Sequence, residues 1–476
     1  MKPIIYIALC LSIISSCKKG EKLANQAPDS FISIKEINLQ GENRLNSTVS
    51  LKWYGADADG FISSYDLSID EGKTWFNTSR EDSTFIFNIS EGNDTIDIAF
   101  WVRAIDGEGL MDSEPAKLII PVKNTPPSVN FNANLMPQDT IYGVSSISWN
   151  VSDVDGDQTI AEVLLKLNDG AWYSVSTSQK FVSLIASNPS QSGPGNAKLY
   201  YGSKSPEDLE IEDLRVNEVN TVYLKARDIA GAESVVDTSE LFFLKSVNSD
   251  LLVIAAHPGA KSFYTSNLNQ VYPNYDLIDY YENDGANQPK YWNPTFNLLI
   301  KLYDKLLIFT ENSLFEDAQT RAEQLILEAA APALQEFLDA DKKAWVNAIF
   351  PNDFSPTSAL FETLPMESIS QSSSGYAILN PDSLILPSGG AYDTLQPSRI
   401  ITGLDPFYLT ADAEAFYRGQ LEIRAPWTGP DVIAARRLRN GNVAQVFFSV
   451  ELQKLNGRPQ AMENLFDQVL NTDFNW

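Results

Sequence analysis

The chain has 476 residues, room for about three domains at roughly 100–200 residues each. With 43% hydrophobic and 20% charged residues it is expected to form globular domains with substantial cores, which excludes a disordered chain. Thirty-five Lys and Arg stand against 62 Asp and Glu, and the resulting net charge of −27 repels polyanions and speaks against nucleic acid as a partner.

The first residues have the grammar of an export signal. Lys2 supplies a positive start, and Ile4 to Ser16 is an apolar and small-residue run shorter than the roughly 20 residues that span a bilayer. The run ends in Ile14-Ser15-Ser16-Cys17, which resembles the lipobox of bacterial lipoproteins. That resemblance implies a signal peptide over 1–16, diacylglycerol on the Cys17 thiol, and a tether over 17–27. Lys18 after the lipid-bearing cysteine resembles outer-membrane lipoproteins rather than those retained at the inner membrane. The expected address is therefore the outer membrane, with the acyl chains as anchor and the membrane as first partner. Cys10 leaves with the signal and Cys17 is consumed by lipid, so the processed chain is expected to carry no thiol and no disulfide.

Two segments then repeat one another. Trp53, Asp57, Asp59 and Gly60 recur at the same spacing as Trp149, Asp153, Asp155 and Gly156. Each copy goes on to a Gly-then-Trp turn, around Gly72 and Trp75 or Gly170 and Trp172. Each closes on an alternating strand and turn, Ala104-Ile105-Asp106-Gly107-Glu108-Gly109 or Ala226-Arg227-Asp228-Ile229-Ala230-Gly231. Apolar and polar residues alternating between Gly/Asn/Asp turns indicate half-buried antiparallel strands, and two such sheets make a sandwich. Residues 28–122 and 126–246 resemble fibronectin type III and related immunoglobulin-like modules. Ile98 and Asn220 replace the tyrosine usual in that family at the corner before the last alanine. The second copy is longer, and Ser187 to Pro206, rich in Ser, Gly, Pro and Asn, is expected to be an inserted loop.

From 250 to 476 the pattern changes. Leu251 to Ala256, Lys305 to Thr310 and Ala344 to Phe350 are continuous apolar runs, suited to parallel strands covered on both faces. Helical spacing fills Thr295 to Tyr303 and Leu314 to Ala340, the latter interrupted by Pro332. Val432 to Leu438 and Val443 to Val450 flank Asn440-Gly441 as a hairpin, and Pro459 opens a last helix. The expected architecture is two all-β sandwiches followed by a three-layer α/β domain with a mostly parallel sheet. Tyr303 to Ile308, Leu334 to Leu338 and Val446 to Leu452 resemble the flavodoxin-like fold of class I glutamine amidotransferases and their non-enzymatic relatives.

Most chemistries are missing their reagents. His257, the only histidine, follows the first apolar run, where open α/β sheets place ligands. Val253 to Pro258 resembles the opening of zinc-dependent sugar deacetylases of the LmbE-like family, but Gly259 and Ala260 replace that family's two acids and a catalytic zinc needs three protein ligands. An amidotransferase elbow would follow Phe350, where Pro351, Asn352 and Asp353 stand instead of a cysteine. No Gly-x-Ser-x-Gly, phosphate loop or dinucleotide fingerprint occurs. Asp153, Asp155 and Asp157 alternate around a glycine turn, an arrangement that suits calcium, while Asp-Gly turns need no ion. Calcium is the one cofactor with any signal. The expected role is non-catalytic: an envelope lipoprotein presenting a binding α/β domain to a protein or glycan, with His257, Asn352 and Asp353 as candidate ligand contacts. The alternative is a carboxylate-based envelope or glycan hydrolase with its site near His257.

Overall fold

The computed structural model describes residues 24–34, 39–40, 44–87, 89, 95–137, 139–257, 259–280, 295–316, 322–352, 354–370, 377–389, 391–424 and 427–476. Residues 1–16, Cys17, Pro258 and Asp353 lie outside the described residues. Among those described, no helix is long and apolar enough to cross a membrane. Two compact units emerge: Met1–Pro127 with Ser152–Ala161 and Arg227–Glu233, and Ser128–Val151 with Glu162–Ala226 and Ser234–Trp476.

The first unit is built on the first repeat. Asp29–Ile34, Thr48–Ala56 and Asp82–Ile86 form a three-stranded antiparallel sheet. A six-stranded sheet runs Leu39–Gln40, Arg44–Asn46, Ala116–Lys123, Thr95–Asp106, Ile62–Ser68, Phe76–Thr78. Period-2 alternation turns Val49, Leu51 and Trp53 inward against Phe100, Val102 and Ala104. Trp53 is the plug: it is fully buried, 6.2 Å from Phe85 and 6.0 Å from Phe100 between ring centres. Its indole N–H donates to the Arg80 carbonyl at 2.8 Å.

In the second unit, the second repeat contributes a five-stranded sheet of Ser128–Phe131, Val144–Ser152, Phe181–Ala186, Gly193–Tyr200 and Glu210–Val216. A four-stranded sheet holds Tyr173–Val175, Ile160–Leu167, Val222–Asp228 and Asp237–Thr238. The stretch expected as an inserted loop instead supplies the strand Gly193–Tyr200, paired on both sides. Its turn-forming composition hides an alternation that fully buries Ala197 and Leu199.

The α/β part contains β1 (Leu251–Ala255), α1 (Lys261–Val271), β2 (Asp276–Asp279), β3 (Lys305–Phe309), α2 (Ile326–Asp339) and β4 (Lys343–Asn347). There follow β5 (Ile385–Pro387), β6 (Ala413–Gly419), β7 (Val432–Arg439), β8 (Asn442–Phe448) and α3 (Pro459–Asp467). All eight strands form one sheet in the order β2-β1-β3-β4-β8-β7-β6-β5. The β2, β1, β3, β4 and β8 strands are parallel, while β7, β6 and β5 continue the sheet antiparallel. The sheet is therefore mixed, because the β7–β8 hairpin reverses direction. Asn440 at φ 51° and Gly441 at φ 82° give both central turn residues the positive φ that such a hairpin requires.

Alternate residues of β1 and β3 feed two cores, one on each sheet face. Leu252, Ile254, Leu306 and Ile308 join the core that holds α2; Leu251, Val253, Leu307 and Phe309 join the one that holds α1 and α3. The α2-side core also buries Val144, Ile185 and Val247, so the second sandwich and the α/β part share it. Leu314 to Ala340 is helical only from Ile326; Leu314–Glu316 and Glu323–Leu325 form a two-stranded antiparallel pair instead. Pro332 sits midway along α2, which continues through it as one helix.

Candidate functional site

The order β2-β1-β3 places a reversal of strand sequence between β1 and β3, and the crevice beyond the carboxyl ends of such strands is where open α/β sheets bind ligands. His257 follows β1 and Glu311 follows β3. The Ala256 N–H bonds the Phe309 carbonyl at 2.9 Å, which carries the β1–β3 register to the edge of the crevice. One step further, His257 Nε2 lies 2.7 Å from Glu311 Oε2. The carboxylate accepts there, so Nε2 carries a proton and Nδ1, buried without a partner, is the ring position left uncommitted. Gln453 Nε2 donates to the other Glu311 oxygen. Glu311 itself is strained, with φ at 46°, the kind of backbone that persists at ligand-contact positions.

Around the pair stand further polar groups from the strand ends. Asn347, the last residue of β4, donates Nδ2 to the Val450 carbonyl at 3.1 Å and leaves Oδ1 buried without a donor. Tyr264 of α1 stacks on Phe309 with ring centres 3.9 Å apart, and its buried hydroxyl has no partner. Burial first, and then the charge of Glu311, hold that hydroxyl well above the ordinary tyrosine range. Burial and the neighbouring Arg399 lower the Lys454 ammonium, against the opposing pull of Glu311. Lys454 also pairs with Glu451. At the end of β2, Asp279 pairs with Lys261 at 2.7 Å. The carboxyl ends of β1 and β3 thus carry a fixed imidazole–carboxylate pair that is partly open to solvent, while the uncommitted atoms of Tyr264 and Asn347 lie in the core.

Of the residues singled out from sequence, His257 is at this crevice. Asn352 lies in an exposed turn, and among the described residues no hydrogen bond or ion pair joins it to His257 or Glu311. Glu311, Gln453, Asn347 and Tyr264 were not singled out. Glu311 had a signal, since it follows an apolar run as His257 does.

The aspartate turn of the second repeat is occupied with backbone. Asp153 Oδ1 accepts the Asp155 N–H at 2.8 Å, and Asp155 accepts the N–H groups of Ser47 at 3.1 Å and Thr125 at 2.8 Å. Exposed Asp157 accepts the Asp153 N–H at 3.2 Å. Burial raises the carboxyls of Asp153 and Asp155, and the charge of Asp228 adds to both. Among the described residues, no three His, Cys, Asp or Glu side chains are gathered ready-made around one metal position.

No protein-family model matches the chain, and no curated protein matches it. Solved structures that it is similar to include the PKD1 domain of the Vibrio cholerae metalloprotease PrtV, at 17% identity over 21% of this chain and 99% of that one, TM-score 0.16. The fibronectin(III)-like modules of Clostridium thermocellum CbhA match at 15% identity over 45% of this chain and 94% of that one, TM-score 0.16. The chicken CNTN1 FN1–FN3 domains match at 13% identity over 48% and 70%, TM-score 0.19.

Proposed function

We propose that the chain is a non-catalytic envelope lipoprotein, anchored through Cys17 at the outer membrane, whose α/β domain captures a protein or glycan partner in the crevice between β1 and β3. The single observation that carries this reading is the His257–Glu311 pair, formed at 2.7 Å where the strand order reverses. The β2-β1-β3-β4 order also supports kinship with the flavodoxin-like fold of class I glutamine amidotransferases, here without the family's cysteine. Buried unpartnered polar atoms at Asn347, Tyr264 and His257 are costly unless a ligand or water answers them, which favours capture of a hydroxyl- or amide-bearing group. The fibronectin-like repeats act as the spacer between anchor and receptor.

The test uses the full lipidated chain in detergent on an array of envelope and dietary glycans, beside Glu311→Gln and His257→Ala. Binding that both substitutions abolish, with thermal stability retained, supports the reading; binding that neither alters sinks it. Fatty-acid labelling of the expressing cell, lost in Cys17→Ala, tests the anchor. A carboxylate-based hydrolase is the second reading, favoured by the uncommitted Nδ1 beside a carboxylate-held ring. Turnover of an array glycan, abolished by His257→Ala, would select it.

A further inference from the structure

Exposed apolar side chains gather at one end of the first repeat. Phe61 is 70% exposed, and its ring lies over Gly107, whose N–H donates to the Phe61 carbonyl at 2.9 Å. Leu110 and Met111, 41% and 44% exposed, belong to the same turn: the Asp106 N–H donates to the Leu110 carbonyl at 3.0 Å, and Met111 bridges to Ile105. Just inside the Asp29–Ala56 pair that closes this end, Phe31 stacks on Tyr54 with ring centres 4.8 Å apart, and both rings stay exposed.

Scattered apolar residues are ordinary on a protein surface, but the second repeat shows that the fold does not ask for these. Its Asn124–Asp228 hydrogen bond matches Asn25–Asp106 of the first, and its Trp149 matches Trp53, which sets the correspondence. Phe61, Leu110, Met111, Phe31 and Tyr54 then fall on Asp157, Ala232, Glu233, Asn130 and Asn150. All but Ala232 are polar and exposed to solvent. The apolar end is also the one that receives the incoming chain. Asn25 Nδ2 donates to Asp106 Oδ2 and the Gln26 N–H to Asp59 at 3.2 Å, and from Cys17 to Asn25 the chain can extend at most about 25–30 Å.

We propose that this end of the first repeat rests on the lipid surface, with Phe61, Leu110 and Met111 in the headgroup layer and Phe31 and Tyr54 at its rim. The inference rests on the reading of Cys17 as the lipid-bearing residue, because the tether then ends at the face that carries the rings. Apolar and aromatic side chains lie favourably at the boundary of headgroup and acyl chain, where an interfacial surface sinks about 5–10 Å. The contact adds to the hold of the acyl chains and fixes the angle at which the module leaves the membrane. Asp59 and Glu108 are exposed among the rings, so the face suits zwitterionic rather than anionic lipid.

The test reconstitutes the full lipidated chain in phosphatidylcholine vesicles, with an environment-sensitive thiol dye on Glu108→Cys and, as control, on Asp157→Cys. Flotation with the vesicles, lost in Cys17→Ala, reads the anchor, and the dye reads the face. The dye at 108 should shift to the blue and be quenched by nitroxide lipids at a depth of about 5–10 Å, while the dye at 157 should do neither. Phe61→Ser with Leu110→Ser should abolish the shift and keep both flotation and thermal stability; if that pair fails to fold, Met111→Ser with Phe31→Ser takes its place. Flotation with an unshifted dye at 108, or with equal shifts at 108 and 157, overturns the proposal and leaves the anchor standing. A chain that does not float overturns both. A shift that appears only at high protein density, or only in native envelope membranes, assigns the face to a second copy or to an envelope protein and overturns the proposal as well.

Discussion

Glu311 holds its backbone at φ 46° while its carboxylate lies 2.7 Å from the His257 ring. A left-handed backbone costs a residue with a Cβ about 1–2 kcal/mol, so the pair is maintained against local preference. Glycine removes that cost and the carboxylate together. Glu311→Gly is therefore expected to leave stability unchanged or raised by about 1 kcal/mol, while the proposed binding of a protein or glycan partner is lost. Thermal unfolding and a binding isotherm on one preparation read both. Stability falling in step with binding would make the pair a strut instead of a contact.

Gly259 controls the other half of the pair. A Cβ at this position would stand 3.0 Å from His257 Cε1, so the ring would have to give by a few tenths of an ångström. Gly259→Ala should shift the imidazole off the Glu311 oxygen and weaken the proposed partner binding several-fold, with stability within about 1 kcal/mol of the parent. Because His257 is the sole histidine, its imidazole 15N resonances report the displacement without assignment. Unmoved resonances would mean that the loop absorbs the added methyl.

Trp53 is among the largest fully buried side chains of the first sandwich. Its ring fills the space between Leu51, Phe85 and Phe100, and its N–H satisfies the Arg80 carbonyl. Trp53→Ala is expected to cost about 3–5 kcal/mol and to leave that carbonyl without its donor. Hydrogen exchange should then quicken in Thr48–Ala56 and Thr95–Asp106 and stay unchanged in β1, β3 and β4, since those strands belong to the other compact unit. Equal loss of protection in both would show that the units unfold as one.

Local chemistry explains which features sequence could supply. The apolar runs at Leu251, Lys305 and Ala344 became β1, β3 and β4 because strands covered on both faces leave no polar side to blur the pattern. Asn440-Gly441 and Pro459 act through their own φ preferences and so appear where they were expected. Leu314 to Leu325 misled because short apolar spacing suits a helix and a strand equally, and the choice was made by pairing Leu314 with Leu325. Within the site, His257 was visible from its place after a strand. Its partner was not, because the His257–Glu311 contact depends on which strand lies beside β1.

Acid response should separate the two repeats' aspartates by sign. Burial raises Asp153 and Asp155 above the ordinary 3.8, so the folded chain binds protons more tightly there than the unfolded chain does. Their contribution to stability is full at and below that value and is lost as pH rises through the raised folded values. Asp70 acts in the opposite sense: the Thr74 N–H and hydroxyl and the Ser68 hydroxyl lower it to about 2, so its contribution holds above 3.8 and disappears as pH falls through 2. The difference in stability between Asp153→Asn and the parent should therefore widen in the variant's favour as pH rises above the ordinary carboxylate value of 3.8. Thermal unfolding of both over a pH series checks it, with the distant carboxylates cancelling and the coupled Asp155 and Asp228 moving with Asp153. A difference independent of pH would mean that Asp153 stays ionised throughout and that its buried oxygen is answered by something other than a proton.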